Sequence, residues 1–393
     1  MIHPDEALEL IESLDIRLEV EAVALADALG RVPARVPTAL LDQPPFDKST
    51  MDGFAYASFS GRLAEPGEAF LQTASVAAGS PPPERLAPGE CARVMTGAPV
   101  PEGSVAVHRL ERAELRDGRV TVLERELEPQ IVRRAQNGLA GDELFPTRPL
   151  RPQDLGLLAA HGIAGIEVVR RPRVLVLSSG DELEGPGRSL GPGRIYDSNG
   201  PMLVAQATAF GCDAGFFGAV GDDEATLREA IEAAAERADL VIASGGVSAG
   251  DFDYVPAAAQ AAGFSLLFRG LAMKPGMPAL LGRRGRGFLY GMPGNPVSAF
   301  VNFEVLAKPL LRRFSGIGYA PRTARLRLAR RVARQDASRV EFLPAKVEGD
   351  AAQILRYTGS TMLGAIVRAD ALLRLEIGQA EIAEGETVDA RLL

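Results

Sequence analysis

At 393 residues the chain is too long for one ordinary core and has room for about two to four domains. A hydrophobic share of 46% with 24% charged residues excludes disorder as the main state. The net charge of −8 excludes a general nucleic-acid binder, so any anionic ligand needs a local positive field. In chain order, Pro4–Leu14 and Val20–Leu29 carry helical patterns, the second ending at Gly30. From there to about residue 150, short alternating segments broken by Gly and Pro predict a β-rich region with long loops. Residues 152–164 return to helix, so the β-rich piece reads as an insertion into a small helical domain. From Pro172 the pattern is α/β: a buried strand at Arg173–Ser178, a helix around Pro201–Phe210, a strand at Gly215–Val220, a helix at Asp223–Arg237 and a strand at Leu240–Ser244. This alternation predicts a parallel sheet with helices on both faces and a ligand crevice at the C-terminal strand ends. A last helix, Pro296–Arg313, ends at Gly316, and residues 320–393 read as a small β domain.

Only Lys48, Lys274, Lys308 and Lys346 are lysines among the 43 basic residues. Cys91 and Cys212 are far apart, and His3, His108 and His161 are isolated, which argues against zinc or iron–sulfur sites. No apolar run has the length of a membrane span and no basic-then-apolar signal leads the chain, so a cytoplasmic protein is expected.

The richest segments leave the predicted strands. Ser178-Ser179-Gly180-Asp181-Glu182-Leu183 offers two adjacent carboxylates to a cation or to ring N–H groups, and reads equally well as a capped turn. Asp197, Ser198 and Asn199 precede a helix that any of them can cap. In Gly221-Asp222-Asp223, Asp223 reads as a cap and Asp222 stays open. Residues 244–254, from Ser244-Gly245-Gly246 through Ser248 to Asp251 and Asp253, let backbone N–H groups approach a phosphate and offer hard oxygens for a cation. Their spacing fits neither a Walker A loop nor a GxGxxG fingerprint. Lys274-Pro275-Gly276-Met277-Pro278 and Met292-Pro293-Gly294-Asn295-Pro296 are rigid turns; the second fits a helix start, and Lys274 can meet an anion as a point charge. Pro45–Ala55 and Val94–Pro99 mix hydroxyls, carboxylates and Gly, while Arg133-Arg134 reads as a solvated basic face.

Taken in order, Phe46-Asp47-x-Ser49-x-Met51-Asp52-Gly53, Met95-Thr96-Gly97-Ala98, Gly180-Asp181-Glu182-Leu183, Tyr196-Asp197-Ser198-Asn199, Ser244-Gly245-Gly246-Val247-Ser248, Lys274-Pro275-Gly276 and Pro293-Gly294-Asn295-Pro296 resemble the MoeA family, which includes the gephyrin E domain. The resemblance implies a helical/linker domain (1–44 and 146–171), a β-rich inserted domain (45–145), an α/β domain of the three-layer molybdopterin-binding type (172–316) and a C-terminal β domain (317–393). It implies a homodimeric transferase of molybdenum cofactor biosynthesis, its site formed by the α/β domain of one subunit and the β-rich region of the other. The substrates would be molybdate and adenylylated molybdopterin, with Mg²⁺-dependent release of AMP. The implied partners are the molybdopterin adenylyltransferase and apo-molybdoenzymes, with no nucleic acid and no membrane.

Carried over position by position, Asp52, Thr96, Asp222 and Asp253 match catalytic positions. Glu182, Ser248, Lys274, Pro293, Pro296, Asp197 and Ser198 match substrate-binding ones, and Asp251 with Asp253 would ligate the cation. Three positions depart from the pattern. Ala135-Gln136-Asn137 stands for the usual Gly-Glu-Asp, Met277 for a second lysine, and Gly270, beside Arg269, for a basic residue. These changes weaken the local positive field and remove one carboxylate. The alternatives are a non-catalytic molybdopterin-binding or scaffold paralogue on the same fold, and a nucleotide pyrophosphate hydrolase built on the α/β domain.

Overall fold

Apolar runs between polar loops give the α/β part its sheet. Strands β1 (Arg173–Ser179), β2 (Asp213–Val220), β3 (Leu240–Ser244), β4 (Ser265–Arg269), β5 (Leu280–Arg284) and β6 (Gly287–Met292) lie in the order β2-β1-β3-β6-β5-β4. The first four in that order run parallel, in registers that set Ser178 opposite Ser244 and Ser244 opposite Met292. β5 and β4 extend the sheet antiparallel. β3 is buried at every position, as a central parallel strand covered on both faces must be. The computed structural model describes residues 1–81, 84–247 and 254–393. These fall into two units, one of Met1–Glu21, Gly30–Val32 and Val168–Leu393, the other of Ala22–Leu29 and Pro33–Glu167.

In the first unit, helix α1 (Pro4–Ser13) starts with Pro4 in its first turn, His3 Nδ1 accepting from Asp5 N (3.3 Å) and Glu6 accepting from His3 N (3.2 Å). Its Ala7 and Ile11 pack with α2 (Asn199–Ala209) and residues 297–311 against one sheet face. The other face is covered by Leu227, Ile231 and Ala234 of α3 (Glu224–Ala235) and by α4 (Val255–Ala261). Sheet and helices therefore form the expected three layers. The expected helix Pro296–Arg313 is α-helical at both ends, with a π-helical stretch at Phe303–Ala307 between them. Pro309 has no N–H to give an upstream carbonyl, which is one physical reason for the wider turn.

The C-terminal strands Val340–Glu348, Ala351–Ile354, Thr323–Leu328, Thr387–Leu392 and Ala371–Leu375 close back on the first of them as a small barrel. Met273–Lys274 adds to this barrel in parallel, with Lys274 opposite Glu341. A bidentate pair from Arg374 to Asp5 (2.8 and 2.7 Å) fastens α1 to the same barrel.

The second unit is β-rich, as expected. Its main sheet orders Ala106–Arg109, Gly53–Tyr56, Glu90–Val94, Ala69–Val76, Arg119–Val122 and Ala113–Arg116. The helix predicted at Val20–Leu29 is instead a strand, Val20–Ala24, followed by a 3₁₀ turn at Leu25–Asp27. The segment satisfies its backbone by pairing with Gly165–Val169, and the β-branched Val20 and Val23 suit that pairing. The helix expected over 152–164 is shorter, Pro152–Ala160.

Ile11 is 1% exposed in the core that joins α1 to the sheet. Ile11→Ala is expected to cost about 2–5 kcal/mol. The check is the denaturant midpoint of the transition that reports this unit; an unmoved midpoint would mean that α1 is not integral to it.

Candidate active site

The three parallel strands β1, β3 and β6 end together, and the loops leaving them wall a cavity of about 530 Å³. Ser178, Ser179, Glu182, Asp197, Ser198, Pro293 and Pro296 all line it, so the crevice expected at the strand ends gathers most substrate-site candidates of this domain. Its floor is a buried polar network. Ser178 Oγ donates to Asp197 Oδ2 (2.7 Å), and Gly200 N donates to Asp197 Oδ1 (3.0 Å). Asp197 is therefore the side chain that caps α2, and Ser198, at the N-cap position, makes no capping bond. Asn199 Nδ2 donates to Ser244 Oγ (2.8 Å) and to Gly294 O (2.6 Å). Gly245 can only be glycine: its φ is +98° and a Cβ there would lie 2.3 Å from Ser179 O. Over the cavity, Leu183–Glu184 pairs in parallel with Ile195–Tyr196, leaving Ile195 and Tyr196 exposed.

Asp223 caps α3 by accepting from Thr226 N (2.9 Å). Asp222 does otherwise: it accepts from Ser179 Oγ and from Asp181 N (3.3 Å), while Asp222 N donates back to Asp181 (3.3 Å). Asp222 thus stands behind the cavity wall, joined to it through Ser179. Ser248, Asp251 and Asp253 lie outside the described residues. Among the described residues no three His, Cys, Asp or Glu side chains group to hold an ion. Cys91 and Cys212 are buried and unpaired, their thiols pushed up to about 12 by burial, so neither is a thiolate ligand.

A second recess of about 350 Å³ shares Pro278, Pro293 and Asn295 with the first. Lys274 lines it, with its ammonium 2.9 Å from Glu341, a carboxylate 6% exposed that also faces Arg334 at 3.6 Å. The lysine is held in place by the barrel. At Met277, where a second lysine was expected by resemblance, Arg339 of the barrel reaches to 3.8 Å from the sulfur. Gly270, the other departure, has φ +80°, and a side chain there would strike Met1 at 2.9 Å. The sequence reading missed Arg339 and Glu341, since nothing marks one arginine among so many until the barrel brings it to the turn.

In the β-rich unit, Asp52 and Thr96 meet. Thr96 N (2.6 Å) and Thr96 Oγ1 (2.7 Å) both donate to Asp52 Oδ1, while Oδ2 has no hydrogen bond among the described residues. The Thr96 backbone N–H first, then its hydroxyl, then the charge of Arg93, hold the Asp52 carboxyl below its ordinary value. An ionised carboxylate with one free oxygen can take a proton or orient water. Arg133 and Arg134, read as a solvated face, are tied to Asp47 (2.7 Å) and Asp42 (2.6 Å). Asn137 donates its backbone N–H to Gln43 O (2.8 Å).

Fold and site together define a multidomain protein with a ligand cavity at the strand ends of a three-layer α/β domain. Residues 2–162 match the MoeA N-terminal region (domain I and II), residues 175–313 a probable molybdopterin binding domain, and residues 325–393 the MoeA C-terminal region (domain IV). The chain belongs to the molybdopterin molybdenumtransferase family, enzymes of molybdenum cofactor biosynthesis. It is 33% identical to the molybdopterin molybdenumtransferase of Haemophilus influenzae over 97% of this chain and 95% of that one. It is 36% identical to that of a Nostoc species over 79% and 74%. A solved molybdopterin biosynthesis MoeA protein of Pyrococcus horikosii superposes with a TM-score of 0.86 at 30% identity, covering 100% of this chain and 99% of that one.

Because the native value of Asp52 is depressed, the stability from its contact with Thr96 is present above the ordinary value, about 3.9, and lost as pH falls through the lower native one. Thr96→Val removes the hydroxyl and keeps the backbone donor, so the Asp52 titration, followed by carboxyl ¹³C NMR, should move part of the way up. A curve unchanged by the substitution would assign the whole effect to the backbone N–H.

Proposed function

We propose that this protein inserts molybdate into adenylylated molybdopterin with release of AMP, which completes the molybdenum cofactor. The observation that carries this reading is the pairing of two adjoining recesses at the strand ends. One is roomy, with polar floor and partly apolar walls; the other carries Lys274 and Arg339. The first suits the pterin, with Glu182 in its lining. The second suits a tetrahedral dianion, which a point charge and a guanidinium can hold. Arg339, paired with Asp336 at 3.2 Å, brings its guanidinium beside Met277, where a second lysine was expected, and in this reading faces molybdate. Asp52, ionised and steadied by Thr96, is assigned to the chemistry rather than to holding the pterin.

A divalent cation of the Mg²⁺ class belongs to this reading. Asp222 keeps carboxylate lone pairs beyond its bonds to Ser179 and Asp181, and Asp251 and Asp253 supply further hard oxygens from sequence, whereas both thiols are buried away. When bound, such a cation neutralises charge on the phosphoanhydride. We take the working form to be a homodimer, as the resemblance implies, with sedimentation at micromolar concentration as the measurement. The partners in this reading are the adenylyltransferase that delivers the substrate and the apo-enzymes that receive the product. Two unpaired cysteines suit a reducing cytoplasm. No helix among the described residues is long and apolar enough to cross a membrane.

Incubated with adenylylated molybdopterin, molybdate and Mg²⁺, the protein should release AMP, and excess chelator should stop it. Asp52→Ala should abolish turnover with pterin affinity nearly unchanged, and Glu182→Ala should weaken binding itself. Calorimetry returning the reverse assignment would refute these roles, and AMP release undiminished in chelator would remove the cation.

Molybdate dependence tests the second recess. Arg339→Ala should raise the half-saturating molybdate concentration by about ten- to hundredfold, the loss expected for one charge-assisted contact. An unmoved value would place the oxyanion elsewhere.

A further inference from the structure

The polar floor of the larger cavity is satisfied bond by bond, with one exception. Both oxygens of Asp197 are taken, by Ser178 and by the Gly200 N–H. Ser178 spends its proton on Asp197. Ser244 Oγ accepts from Asn199 and faces Pro293 O at 3.5 Å. Asn199, 7% exposed and in the cavity lining, gives both amide protons away, to Ser244 and to Gly294. Those two bonds settle which end of the amide is which, because a flipped amide would set its oxygen against the Gly294 carbonyl. The other end, Asn199 Oδ1, is buried and has no hydrogen-bond partner among the described residues. A buried acceptor left without a donor is destabilising, and native structures keep few of them outside functional sites.

We propose that Asn199 Oδ1 is a recognition point for an N–H donor, ring or amino, on a heterocycle of the substrate, a specificity-determining contact that neither catalysis nor helix capping explains. The inference rests on the assignment of this cavity to the pterin. The chemistry narrows the ligand group. Molybdate and phosphate oxygens are acceptors at neutral pH and cannot satisfy an amide oxygen. The heterocycles can: the pterin presents N3–H and a 2-amino group on its lactam edge, and adenine presents its 6-amino group. A neutral amide acceptor, fixed at its far end by two bonds, reads such a donor without the desolvation cost of a carboxylate. It also rejects an analogue that lacks the donor, since the acceptor is then left buried and unpaired again.

The experiment is calorimetry of the full chain, wild type and Asn199→Ala, with pterin, 3-methylpterin and AMP. In wild type, blocking N3 should lower pterin affinity by about ten- to hundredfold. In Asn199→Ala that ratio should collapse toward one. Should Asn199→Ala fold poorly, Asn199→Ser, which keeps a short polar side chain but withdraws the fixed amide oxygen, reads the same ratio and should collapse it likewise. If the variant instead loses AMP selectively, the donor is the adenine amino group and the contact stands with the other ring. Wild type that binds pterin and 3-methylpterin equally, with AMP unaffected by the substitution, overturns the inference and leaves the cavity assignment intact. Wild type that binds no pterin at all overturns both.

Discussion

Everything at the α/β crevice depends on one requirement: three parallel strands must stop at the same level with the buried hydroxyls at their ends paired. Ser178 and Ser244 sit opposite each other at that level, inside the protein rather than in water. Each hydroxyl is answered from the start of α2, Ser178 by Asp197 just before the helix and Ser244 by Asn199, its first residue. Asp197 then caps the helix, and Asn199 reaches across to the loop after β6 through Gly294. One short segment thus closes the floor, starts the helix and fixes the third loop. The cavity is what remains between loops held in this way.

The second dependency is the parallel addition of Met273–Lys274 to the C-terminal barrel. A two-residue strand contributes little by itself. Its consequence is electrostatic, because it sets Lys274 against a buried Glu341 and brings Arg339 to the Lys274–Pro278 turn. Lys274 and Arg339, about sixty positions apart and separated by the long helix, meet at this turn, each with a carboxylate beside it, Glu341 for the lysine and Asp336 for the arginine. The buried carboxylate orients the lysine and also draws in Arg334, so this charge cluster is a fixed part of the barrel wall.

The β-rich unit solves a smaller problem. Asp52 lies just before one strand of its sheet and Thr96 just after the neighbouring one, and the antiparallel register brings them together over 44 residues of chain. Two donors on one carboxylate oxygen lower the group's pKa, and the other oxygen has no hydrogen bond among the described residues.

Sequence alone determined the layered α/β architecture, the β-rich region, the small C-terminal β domain and the position of the crevice, because these follow from periodicity, strand length and Gly/Pro punctuation. Its ordered motifs also carried the family. It misread Val20–Leu29, where a pattern compatible with either element was decided by a distant pairing strand. It offered Asp197, Ser198 and Asn199 as equivalent caps and could not say that Asp197 does the capping while Asn199 spans two loops. It took Lys274 for a lone lysine and Met277 for a lost charge, when Glu341 and Arg339 stand beside them. Periodicity reports which face of an element is buried. Which side chain satisfies which buried atom depends on contacts between segments far apart in sequence, and only the tertiary structure decides those.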